Sequence, residues 1–99
     1  MVSHMVLWNL NEDLTQQEKK EAALEIKKRL EAVAETVEGV ISLKVVINEM
    51  DSSNKDIALI SRFESAKALE AYQISPAHVE AAKYVGSVTN GRCCIDYEE

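Results

Sequence analysis

The sequence predicts an α+β fold, a four-stranded antiparallel sheet with helices on one face, in the order β-α-β-β-α-β. Three observations carry this expectation. An alternating apolar run opens the chain, a capped amphipathic helical stripe follows it, and a short polar connector then joins two β-branched stretches. At 99 residues the chain has the length of one domain, expected to span 1–99, and a fold of this size buries only roughly 65% of the surface its unfolded form exposes. Hydrophobic residues make up 46% and charged residues 28%, so the chain has the makings of a core, but aromatics supply only 5% and that core must be mainly aliphatic.

The first strand is Met1 to Leu10, with Val2, His4, Val6, Trp8 and Leu10 on one face and Met5 and Leu7 on the other. After the polar Asn11-Glu12-Asp13 turn, Thr15-Gln16-Gln17-Glu18 is a capping box, in which hydroxyl and carboxylate satisfy backbone donors reciprocally. Apolar residues at Ala22, Ala23, Ile26, Leu30, Val33, Ala34 and Val37 then form one helical stripe, with Gly39 the expected stop. Val40 to Met50 is the second strand, with Ile41, Leu43, Val45 and Ile47 on its inward side. Ile57 to Phe63 is the third, paired antiparallel to the second through the connector at 51–56. Ser65 caps a short helix carrying Leu69 and Tyr72, which must break before Pro76. Ser75 and Pro76 open the next helix, whose expected inward stripe is Val79, Ala82 and Val85, with Gly86 as its stop. Asn90-Gly91 reads as a turn into a last strand, Arg92 to Tyr97.

This order is the ferredoxin-like, split βαβ arrangement. Its helices cover one sheet face, yet Met5, Leu7, Val46, Ala58 and Ile60 make the other face apolar as well. Left in water, that face would be a patch of the kind that marks an interface. The expected partner is a second copy packed sheet to sheet, giving a homodimer that closes an α/β barrel between subunits.

Eleven basic against seventeen acidic residues give a net charge of −6, which disfavours nucleic acid and anionic membrane surfaces as partners. Lys27-Lys28-Arg29 is a solvated helix face flanked by Glu25 and Glu31. With no long apolar segment and no leader pattern, the expected location is the cytoplasm. Cys93 and Cys94 are adjacent and form neither a disulfide framework nor a redox motif. Nucleotide-binding glycine loops and zinc spacings are absent, and His4 with His78 would make a weak metal site, so neither a metal nor a cofactor is expected.

Tyr72-Gln73-Ile74-Ser75-Pro76-Ala77-His78 is the most informative short stretch. It sets a phenol at the end of one helix and an imidazole at the third position of the next, so a fold at Ser-Pro can bring both to the space between helices and sheet. The helix N-terminus favours the neutral imidazole that a general base requires, and a tyrosine hydroxyl can donate to a developing oxyanion. The same residues also suit a structural role, with His78 bonded to Ser75 or a free backbone group and Tyr72 in packing. His4, in an apolar strand, is either a core histidine with a buried partner or a further polar group of that pocket. Trp8 reads first as core.

In this order the residues resemble the stress-responsive dimeric α/β-barrel (Dabb) family along essentially the whole chain. The landmarks are His4, Val6 and Leu10, then Phe63-Glu64-Ser65 leading to Leu69 and Tyr72, then Pro76 and His78, and finally Asp96-Tyr97. The resemblance implies the ferredoxin-like fold, the face-to-face dimer and a stress-associated role of unassigned activity. One branch, the olivetolic acid cyclase type of polyketide cyclase, works without a cofactor. Likeness to it implies Tyr72 and His78 as an acid/base pair with His4 in the same cavity. This chain departs from the pattern at Ile57, where the cyclase has histidine, and at Ser75, where family members commonly have histidine. Two functions follow. One is a non-catalytic dimer binding a small apolar ligand between helices and sheet, with His4, Trp8 and Ile57 as candidate contacts. The alternative is a cofactor-free enzyme, cyclase-like or monooxygenase-like, using Tyr72 and His78.

Overall fold

Alternation of side chains along Val2–Leu10 turns Val6, Trp8 and Leu10 toward the helices and Met5 and Leu7 away from them, and this strand, β1, is central in the sheet of the computed structural model, which describes residues 1–99. Helix α1 (Gln16–Ala34) follows, then β2 (Val40–Ile47), β3 (Ile57–Phe63), α2 (Ala66–Ile74), α3 (Pro76–Val88) and β4 (Thr89–Glu98). The sheet order is β2-β3-β1-β4 with every neighbouring pair antiparallel. This is the expected ferredoxin-like arrangement, with its second helical segment divided in two.

The capping box that starts α1 is present in full: Glu18 N–H donates to Thr15 Oγ1 at 3.1 Å and Thr15 N–H donates to Glu18 Oε1 at 2.8 Å. The helix presents Ala22, Ala23, Ile26, Leu30 and Val33 to the sheet. Ile26 is fully buried, worth about 1.5–3 kcal/mol for such a side chain. Its end differs from expectation. The amides of Glu35 and Thr36 turn to carbonyls three residues back, at 3.2 and 3.0 Å, and Thr36 Oγ1 also donates to Val33 O at 2.8 Å. These bonds close the helix at Ala34, before Gly39 is reached. Gly39, at φ 87°, instead carries the chain past Ala68 into β2. A register shift between Val40 and Ser42 then leaves Ile41 exposed, so Val40 packs inward in its place beside Leu43, Val45 and Ile47.

Two further expectations are corrected. Gly86 does not stop α3, which runs to Val88 and ends where Thr89 becomes extended, its hydroxyl donating to Val85 O at 2.7 Å. The buried residues of α3 are Ala81 and Val85, while Val79 and Ala82 are exposed to solvent or cavity, so the stripe is rotated relative to the expected one. Asn90-Gly91 lies inside β4 as an irregularity in its pairing with β1 between Leu7 and Asn9, with Gly91 at φ 64°, so the positive-φ glycine serves a bulge rather than a turn.

The face of the sheet away from the helices carries Met5, Leu7, Ala58, Ile60, Val46, Ile95 and Tyr97. Val46, Ile95 and Tyr97 are 41%, 56% and 45% exposed. No helix is long and apolar enough to cross a membrane.

Gly39→Ala tests the local account. An added Cβ would lie 2.6 Å from Ala68 Cβ at a backbone angle that L-residues rarely adopt. Chemical denaturation should show a loss of about 1–3 kcal/mol; an unchanged midpoint would contradict the role given to this glycine.

Candidate functional site

Ser75 organises the site by serving two helices at once. Its amide and its hydroxyl both donate to Tyr72 O, at 3.2 and 2.9 Å, closing α2, while its oxygen accepts from His78 N–H at 3.3 Å, opening α3. Pro76 follows at the first helical position, where its missing N–H costs nothing. The sharp step brings the rings of Tyr72 and His78 to a centroid distance of 4.6 Å, and Phe63 packs on the other side of Tyr72 at 5.1 Å.

The His78 ring is oriented by the backbone. Its Nδ1 lies 3.0 Å from Gln73 O, and because a carbonyl can only accept, Nδ1 carries the proton. The neutral ring therefore keeps its lone pair on Nε2. Burial holds the His78 pKa below its ordinary value, the Gln73 carbonyl opposes that shift, and the nearby His4 and Arg92 reinforce it. Tyr72 is fully buried, and burial pushes its phenol up to about 12, so it stays a proton donor. Its hydroxyl is the one buried side-chain polar atom without a hydrogen-bond partner, a deficit that costs about 1–3 kcal/mol.

Beside this pair is a cavity of about 310 Å³. Its wall is His4, Val6, Trp8 and Leu59 from the sheet, Leu30 from α1, Gln73, His78, Ala82, Val85 and Gly86 from α2 and α3, and Thr89 to Arg92 from β4. The structure thus brings His78, His4 and Trp8 to one cavity. Tyr72 does not line it but backs His78. Ile57 lies elsewhere, buried at the hairpin end of the sheet opposite Trp8 and Ile47 in the strand register.

His4 is 3% exposed and its Nδ1 pairs with Asp96 Oδ1, the residue opposite it on β4. Cys94 Sγ lies 3.9 Å from that nitrogen and 3.7 Å from that oxygen. Burial and the neighbouring carboxylate raise the Cys94 pKa, so its thiol is protonated at neutral pH. These three donors, within 4.8 Å of one another, are the one cluster with metal-ligating chemistry, and an ion there would have to break the His4–Asp96 bond. Sequence reading missed Asp96 as the partner of His4, and Arg92 as a cavity residue. The signal for the first was the unmet need of a histidine in an apolar strand.

This is a ferredoxin-like α+β domain with a cavity between its helices and sheet. The sequence profile of the stress responsive A/B barrel domain (Dabb) family matches residues 2–99, and the chain belongs to that family. Among solved structures, a dimeric protein of unknown function with a ferredoxin-like fold from Bacteroides fragilis is 30% identical, with a TM-score of 0.92 over 99% of this chain and 95% of its own. A dimeric ferredoxin-like protein of unknown function from Thermobifida fusca matches at 16% identity and TM-score 0.82, covering 99% of this chain and 90% of its own. The hydroxynitrile lyase of Passiflora edulis matches at 17% identity and TM-score 0.73, covering 97% and 90% respectively. None of the curated proteins matches this chain.

The depressed pKa of His78 makes a pH prediction. The unfolded chain, with a histidine near 6.5, binds the proton more tightly than the folded one, so stability is full above that value and is lost as pH falls through the lower folded pKa. Proton NMR should place the His78 midpoint below 6.5, and His78→Gln should weaken the acid-side loss of stability; a midpoint above 6.5 would refute the burial argument.

Proposed function

We propose that the chain works as a homodimer joined through its open sheet faces, each subunit a single domain holding a small, largely apolar carbonyl compound in the cavity beside His78. Support for the dimer is the unpartnered apolar face, on which Val46, Ile95 and Tyr97 lie 41%, 56% and 45% exposed, the kind of patch that marks an interface. The B. fragilis and T. fusca relatives are described as dimeric. Support for the ligand is one observation above the rest: a cavity of about 310 Å³ into which His78 can present the lone pair of Nε2. The free thiols and the acidic charge suit a protein of the cytoplasm.

A second reading, a cofactor-free enzyme, is favoured by the unpaired hydroxyl of Tyr72. In that reading His78 Nε2 takes a proton from carbon next to the ligand's carbonyl, the electron pair moves onto the carbonyl oxygen, and a small rearrangement lets Tyr72 donate to that oxyanion. The Passiflora lyase has an enzyme's name on this fold, which makes the reading admissible without naming a reaction.

Sedimentation at micromolar concentration should give twice the 11.0 kDa chain mass, and Ile60→Glu with Ile95→Glu should give monomers of lower stability. A wild-type monomer would sink the dimer. For the site, ligand screening by thermal shift on wild type and His78→Ala should find compounds whose stabilisation depends on His78; ligands that stabilise both proteins equally would remove it from the site.

A further inference from the structure

Charge is distributed unevenly around the cavity. The chain carries seventeen acidic residues against eleven basic ones, yet no Asp or Glu lines the cavity, and its one permanently charged side chain is Arg92. Strand alternation explains the placement. Arg92 follows the bulge at Gly91 and shares the helix side of β4 with Cys94 and Asp96, on the side to which β1 turns Val6 and Trp8. Arg29 and Arg62 are each paired to a glutamate, whereas Arg92 is in no salt bridge. The nearest carboxylate on its own strand, Asp96, is held by His4.

From this we infer that the ligand of the cavity is a carboxylate, its charged end on the Arg92 guanidinium and its apolar body against Val6, Trp8, Leu59 and Val85. This deepens the ligand-binding reading above and rests on it. The guanidinium fork matches a carboxylate in two parallel hydrogen bonds, and at a partly enclosed mouth the pairing is screened less than on an open surface. A single arginine outside any salt bridge, in a wall that carries no carboxylate and no second Lys or Arg, suits one negative charge, not the several of a diphosphate. The cavity has the volume of about ten waters at ~30 Å³ each, enough for a substituted benzoate or a short-chain fatty acid. Because Arg92 helps to hold the His78 pKa down, its neutralisation by a bound anion also makes His78 a stronger base.

The test compares an acid with its neutral isostere on the intact protein. Calorimetric titration with 4-ethylbenzoate and 4-ethylbenzamide at pH 7.5 should show the acid binding at least about tenfold more tightly. In Arg92→Gln the acid should fall to the level of the amide, whose own affinity stays unchanged. Arg92 is exposed, so this variant should fold, and the wild-type comparison needs no variant at all. NMR of the wild type should also show the His78 midpoint rising on addition of the acid and not of the amide. Equal affinity of wild type for the two probes overturns the carboxylate assignment and leaves the cavity reading standing. Binding of neither overturns both.

Discussion

The step at Ser75-Pro76 is the constraint from which the rest of the site follows. One hydroxyl closes α2 on Tyr72 and opens α3 on His78, so the distance between those two rings is set by the backbone and not by side-chain freedom. A proline at the next position keeps α2 from continuing and needs no partner of its own. The Gln73 carbonyl, released at the end of α2, then accepts a hydrogen bond from His78 Nδ1–H. Ring orientation and tautomer thus come from one local interruption of helix, while burial, against the pull of that same carbonyl, lowers the His78 pKa. A continuous helix would place Tyr72 and His78 six residues apart on different faces, with neither the contact nor the carbonyl.

The two faces of the sheet divide the work. The helix side holds the aliphatic core, Tyr72 and the cavity, while the open side is apolar without a cover. Stability of so short a chain and the shape of its site are therefore linked in the proposed dimer. The open face that the proposed dimer would cover is the reverse side of β1 and β4, the strands that bring His4, Trp8 and Arg92 to the cavity. The paired His4 and Asp96 tie those two strands together on the helix side.

Most of this architecture was legible in local patterns. The Thr15 capping box, the alternation in β1 and β3, the polar hairpin and the Ser-Pro break are short-range signals, and each appears where it was read. What was misread had a competing local cause. Gly39 and Gly86 both look like helix stops, but Thr36 closes α1 first and α3 passes through Gly86 to a cap at Thr89. The inward face of α3 follows Ala81 and Val85 while Ala82 is left on the cavity wall, and two neighbouring alanines carry no hydropathy difference that reveals this in advance. Asp96 and Arg92 became site residues only through the pairing of β4 with β1, across some ninety residues of sequence. A tolerant edge strand with exposed side chains gives no pattern for that in advance.

The proposed site depends on a neutral His78 ring whose free nitrogen is Nε2. Long-range ¹⁵N–¹H NMR on histidine-labelled protein at pH 7.5 reads the tautomer directly. The geometry predicts a protonated, pyrrole-like Nδ1 and a pyridine-like Nε2 for His78. A ring protonated on Nε2, or one averaging between the two forms, would mean that Gln73 does not hold it, and the base assigned to the cavity would be lost.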